Sequence, residues 1–208
     1  MPEQKESVPR KRLTRQESQA RTRALLLEVA ETEFLAQGYA GTSLERVAEL
    51  AGFSKGAVYG NFAGKEELCL AVLESHFFAY LQSFVADFAA GGTSIEDRLA
   101  VLERWFEILL TEEEWQLLAV EFAVQTRRNR KIQEQLAQRE KMMRAAVTAL
   151  LTQQIRELGV KPLLPPDQLG TVLVAVVGGI AVQRLIDPTI PTSLITDAVR
   201  ALFRAPKP

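Results

Sequence analysis

Apolar residues recur at intervals of three and four along nearly the whole 208-residue chain, with no sustained alternation and no Asn-Gly or Asp-Gly hairpin signal. The pattern predicts an all-α fold of about nine helices. Leu25, Leu26, Val29, Ala30 and Phe34 mark a first amphipathic helix, which Gln37-Gly38 ends with a left-handed glycine cap. Thr42 or Ser43 then opens a short second helix whose apolar positions are Leu44, Val47, Ala48 and Ala51. A third short segment covers 55–62. The fourth helix starts at Lys65, places Glu66 and Glu67 in its electropositive first turn, and carries Leu68, Val72, Phe77, Leu81, Phe84 and Phe88 before Gly91-Gly92 stops it. Five further helices are predicted over 95–110, 112–126, 131–158, 167–186 and 192–204, with proline-bearing corners at 161–166 and 187–191.

Charge changes this picture at one end only. The chain carries 25 Lys+Arg against 26 Asp+Glu, and with 47% hydrophobic residues it reads as globular rather than disordered. Between residues 10 and 23, however, Arg10, Lys11, Arg12, Arg15, Arg21 and Arg23 face only Glu17, a local balance of +5, whereas from Glu66 onward the balance is −3. A basic end on a mildly acidic body points to contact with a polyanion; a solvated polar tail is the alternative. Residues 1–17 are therefore read as a basic flexible arm. They lack the apolar core of a signal peptide, so a cytoplasmic location is expected. Cys69 is the lone cysteine, which excludes an intramolecular disulfide and a multi-cysteine metal cluster. No metal site and no cofactor is predicted.

The stretch AGFSKGAVYGNF, residues 51–62, interrupts the helical pattern with three glycines. Two helices that meet at a steep angle across a tight turn need a small residue at the crossing, a glycine in the turn and apolar pins at fixed offsets. Ala48 is the small residue, Gly52 supplies the turn, and Val47, Ala51, Phe53 and Val58 are the pins. Ser54 caps the next helix, which leaves Lys55, Gly56, Ala57, Tyr59 and Gly60 on its outward side.

From Arg23 to Leu68 the chain resembles the DNA-binding domain of the TetR family of bacterial transcriptional regulators. The pattern lies in FLAQGYAGTSLERVAELAGFSKGAVYGNFAGKEEL: Gly38-Tyr39, Thr42-Ser43, Ala51-Gly52, Ser54, Gly56, Tyr59 before Asn61-Phe62, and Lys65-Glu66. Asn61 stands where histidine is more usual in the family, and Gly64 where serine is common. The resemblance implies a helix-turn-helix domain over 18–64 and a ligand-binding and dimerisation domain over 65–208. It implies phosphate contacts from Thr42, Tyr59 and Lys65, with Asn61 a further candidate. It places Ser54, Lys55, Gly56, Ala57 and Gly60 at the DNA, where lysine donates to guanine and small residues approach a thymine methyl. Tyr39 and Phe62 are read as domain core.

The segment EEEWQLLAVEFAVQTRRN spreads apolar residues around nearly its whole circumference, which predicts a helix buried on all sides. Glu121 and Gln125 then form a polar stripe in apolar surroundings, and a buried carboxylate needs a partner, either an internal arginine or a ligand's polar group. Phe84, Phe88, Trp105, Phe106, Phe122 and Met143 are candidate walls of the cavity that the resemblance implies; each alone also suits plain core. The apolar segment LGTVLVAVVGGIAVQRLID is shorter, between charges, than the roughly 20 residues a bilayer requires. It is expected to be buried on all sides, with no membrane role; Ala175, Gly178, Gly179 and Ala181 allow close helix approach, and Ala175, Gly178, Gly179 and Val182 are candidates for the dimer interface that the family builds from its last two helices.

These readings converge on a homodimeric regulator that binds a pseudo-palindromic double-stranded DNA operator and is released by a small, partly apolar effector. A ligand-independent architectural DNA-binding protein is an alternative. An enzyme would have to rest on His76 and Cys69, seven residues apart on one helix and without an evident third partner.

Overall fold

A computed structural model describes residues 14–92, 94–159 and 162–203. Its elements are α1 (Arg15–Gly41), α2 (Leu44–Leu50), α3 (Lys55–Tyr59), α4 (Lys65–Ala90), α5 (Ile95–Thr111), α6 (Glu113–Gln125), α7 (Arg130–Leu158), α8 (Pro166–Arg184) and α9 (Ser193–Phe203), and no strand occurs among the described residues. The expected all-α architecture is what forms.

Helix α1 begins earlier than its apolar stripe. Thr14 and Glu17 build a reciprocal capping box that satisfies two N-terminal donors, so residues 15–17 of the supposed arm are helical. Arg10, Lys11 and Arg12 lie outside the described residues. The far end breaks at Gly38, whose φ of 71° and ψ of 173° belong to a region that only glycine enters readily. The last turn of α1, Tyr39 to Gly41, thereby departs from the axis of the rest.

Packing unites the N-terminal head with the body. Leu26, Ala30 and Phe34 of α1, Val47 and Ala48 of α2, and Val58 and Phe62 around α3 share one core with Leu68, Cys69 and Val72 of α4 and with Trp115, Leu118 and Phe122 of α6. Each large apolar side chain sequestered this way contributes about 1.5–3 kcal/mol. A second core joins Leu110, Leu151, Leu169, Leu173, Ile195 and Val199.

Two helices depart from expectation. Helix α6 buries only Trp115, Leu118 and Phe122, while Leu117, Val120, Ala123 and Val124 are exposed, because the head covers one side of it and no other described element covers the opposite one. Helix α8 packs mainly on α7 and leaves Ala175, Gly178 and Val182 exposed. By length and composition alone α4 and α8 are apolar enough to cross a bilayer, but the first turns of α4 sit inside the head's core.

Candidate nucleic-acid interface and cavity

The head meets the geometric demands that its sequence imposes. Ser43 and Ser54 cap α2 and α3 by accepting from the backbone N–H of Arg46 (3.2 Å) and Ala57 (3.3 Å). Gly52 turns the chain at φ 72°, and the Phe53 N–H donates back to the Ala48 carbonyl at 2.9 Å, which fixes the angle between the helices. Ala48 is buried where they cross, and Val47 and Val58 are fully buried behind it.

Ser54, Lys55, Gly56, Tyr59 and Gly60 lie exposed along one side of α3, with Ala57 partly so. A Cβ at Gly56 would meet nothing nearer than the Ser54 hydroxyl at 3.8 Å, and its φ is not positive. The head's own packing does not require glycine there, so the missing side chain leaves clearance on the outside. Lys55 Nζ rests 3.2 Å from Glu45 Oε1, and since both groups are well exposed the lysine is readily released to another acceptor.

Three of the expected phosphate-facing residues are otherwise engaged. Thr42 is buried, and its hydroxyl lies within donating distance of the carbonyls of Gly38 (2.9 Å) and Glu33 (3.1 Å), so it braces the kink rather than facing outward. Asn61 turns its amide onto the Ala57 carbonyl at 2.7 Å. Lys65 donates to the Ala40 carbonyl (3.2 Å) and lies 4.4 Å above the Tyr39 ring, and burial holds its pKa below the usual lysine value. Among the described residues, Tyr59 alone of the four is exposed with its side chain free of such ties. Phe62 is buried as expected, and Arg23, counted in the basic run, covers its ring at 4.1 Å and donates to the Asn61 carbonyl at 2.8 Å.

Between the two cores lies a cavity of about 840 Å³. Phe84, Phe88, Trp105, Phe106 and Met143 line it as expected, while Phe122 is buried in the head-side core and Gln125 is exposed on the surface. At its head-proximal end His76 stacks on Trp115, with centroids 3.7 Å apart, and its Nε2 lies 3.1 Å from Glu112 Oε2. Tyr80 donates to the Trp105 carbonyl at 2.8 Å, and burial pushes its phenol pKa up. Tyr80, Arg139 and Gln154 are lining residues that the sequence pattern does not single out, although each continues a helical stripe visible in it, and His76, singled out only as the partner of Cys69, joins them. Cys69 does not join His76 there; it is fully buried in the head-side core, where burial drives its thiol pKa up and away from reactivity.

Glu121 has neither an arginine nor the cavity as its partner. Its carboxylate accepts from the N–H groups of Tyr39 (2.7 Å) and Ala40 (2.8 Å), the donors set free where Gly38 breaks α1. Tyr39 packs edge-on against Phe122 at 5.2 Å, and desolvation raises its pKa to about 12. Helix α6 thus walls the cavity with Trp115 and Ala119 and clasps the head with Glu121 and Phe122.

Residues 26–72 match the family model described as bacterial regulatory proteins, tetR family. That segment is similar to the DNA-binding part of the TetR family. The HTH-type transcriptional regulator TtgR of Pseudomonas putida is 47% identical over 64 residues, a match covering 31% of this chain and 30% of that relative. The match therefore spans less than half the length of the curated relatives. The fold extends further: the reduced form of NemR from E. coli superposes with a TM-score of 0.68 at 20% identity, covering 89% of this chain and 100% of that one. A SmeT–triclosan complex does so with a TM-score of 0.66 at 24% identity, covering 90% and 98%. The matched TetR segment contains the whole of α2 and α3, the glycine kink and the first turns of α4.

Proposed function

We propose that this chain is a TetR-family transcriptional regulator, most simply a repressor, that binds a pseudo-palindromic operator as a homodimer in the cytoplasm and is released by a small, partly apolar effector. The observation that carries the reading is the double use of α6, which walls the cavity with Trp115 and holds the head through Glu121. Helix α4 runs the same course, from Leu68 in the head's core to Phe88 at the cavity. A ligand shifts the head only by binding one placement of these helices better than another. SmeT, of similar fold, forms a complex with triclosan, which supports a cavity open to aromatic ligands.

Lys55 would read base edges, Gly56 and Ala57 would let the α3 backbone approach, and Tyr59 would position the head on phosphate. The exposed face of α8 supports the dimer: Ala175, Gly178 and Val182 are apolar or small, and nothing lies within 4 Å of a Cβ built at Gly178 or Gly179. Two-fold symmetry would then set the operator's half-site spacing by the distance between the two α3 helices.

Selection of bound fragments from random DNA by the purified chain tests the reading. A two-fold symmetric consensus, bound by a dimer, is expected; enrichment of no sequence would overturn it.

A further inference from the structure

Three arginines line the cavity, and two of them are occupied. Arg98 donates to the Phe88 carbonyl and lies over the Phe88 ring, and Arg200 pairs with Asp197 at 3.2 Å. Arg139 differs. Its Nη1 is buried without any hydrogen-bond partner, and among the described residues no carboxylate comes within ion-pair distance of it. The neighbouring Glu140 lies toward Arg144 at 4.0 Å, and Glu112 lies against His76.

An arginine cannot escape burial by losing its proton, as a lysine can. Arg139 is partly buried, and the lining also carries the carboxylates Glu96, Glu103 and Glu140, none of them within ion-pair distance of it; its one buried, unpartnered guanidinium nitrogen therefore calls for an acceptor, and a charged acceptor offsets its desolvation best. The surroundings of Arg139 are aromatic: its Cζ is 5.9 Å from the Phe77 ring centroid, and the His76–Trp115 stack belongs to the same end of the cavity. The lining then continues along one face of α7 through Met143 and Val147 to Gln154, about 22 Å further at the α-helical rise. Gln154 ends it with a buried side-chain oxygen that also lacks a partner.

We infer that the effector is an elongated aromatic anion, a carboxylate or a phenolate, whose charged end is held by Arg139 near the head and whose body lies along α7 toward Gln154. This rests on the reading of the cavity as an effector site. It adds what that reading leaves open, the sign of the ligand's charge and the end at which it sits.

Three probes of one shape separate the possibilities: biphenyl-4-carboxylate, its neutral carboxamide and its cationic amidine. Trp105 and Trp115 both line the cavity, so quenching of tryptophan fluorescence reports binding to the intact chain, and calorimetry gives the affinity. The carboxylate is expected to bind at least tenfold more tightly than the carboxamide, and the amidine more weakly than either. In Arg139→Gln the advantage of the carboxylate should vanish while carboxamide affinity stays within about twofold; Arg139→Lys should restore part of it. Equal binding of carboxylate and carboxamide to the unmodified chain, which requires no variant to fold, overturns the inference and leaves the cavity reading intact. So does a carboxylate preference that survives in Arg139→Gln. Failure of all three probes to bind would remove both readings together.

Discussion

Replacing Glu121 by alanine removes the one side chain that accepts the two N–H groups beyond the glycine kink. The bond from Tyr39 is 2.7 Å long and partly buried, so its donor would be left poorly solvated. A hydrogen bond to a charged acceptor contributes about 1.5–3 kcal/mol. The Ala40 donor is exposed and turns to water instead, adding only about 0.5 kcal/mol. The substitution should therefore cost about 2–3.5 kcal/mol, which for a chain of this size lowers the unfolding midpoint by roughly 4–14 °C. Glu121→Gln keeps the shape and one acceptor oxygen but sets an amide donor against the second N–H, so about half that loss is expected. Urea titrations followed by circular dichroism, with the slope compared between variants, measure both. Because Glu121 lies outside the cavity lining, the affinity for biphenyl-4-carboxylate should hold within twofold. An alanine variant within about 0.5 kcal/mol of the parent would refute the clasp as a stabilising contact.

Gly38→Ala should be more damaging than an ordinary loop substitution: its φ of 71° disfavours any Cβ, which would also sit 2.8 Å from Glu121 Oε2. About 1–3 kcal/mol is expected from the backbone alone, and in a double-mutant cycle with Glu121→Ala the contact part should disappear while the backbone part remains. Lys55→Ala should cost about 1–3 kcal/mol on the preferred operator and relax one position in each half-site, whereas Tyr59→Phe should weaken binding to all sequences alike; an unchanged selected consensus for the lysine variant would count against base reading. Gly179→Leu should leave the single chain folded, since nothing lies within 4 Å of its Cβ, yet weaken a dimer by about 1–3 kcal/mol; sedimentation across a dilution series checks this, and an undiminished dimer would place the interface elsewhere.

The helix-turn-helix was legible because its constraints are local. Gly52, Ala48 and the caps Ser43 and Ser54 act within a few residues of themselves, so their spacing alone specifies the turn. The aromatic stripe of α4 was legible for the same reason: helical periodicity places Phe84 and Phe88 on one face whatever they face. Polar partners were not. Glu121 reaches a backbone donor that sits 82 residues earlier in the chain and is free only because Gly38 breaks the helix. The resemblance implies that Thr42 and Lys65 face phosphate, and only the fold brings the Gly38 and Ala40 carbonyls within their reach. Composition also overstated the burial of α6, since an apolar circumference does not specify how many neighbours will cover it; Leu117 and Val124 are each 57% exposed.

The core that runs without interruption from Phe34 through Leu68 to Phe122 bears on how such regulators are recombined. A chimera cut at residue 64, where the sequence suggests a clean joint, would separate the head from half of its own interior. Leu68, Val72, Trp115, Leu118 and Phe122 would meet foreign partners, and Glu121 would face a kink that it was not shaped to cap. A graft that exchanges the head while preserving the body must therefore carry the first two turns of α4 with the head and match the inward face of α6 to the new α1. The exchangeable unit of this protein is discontinuous in sequence.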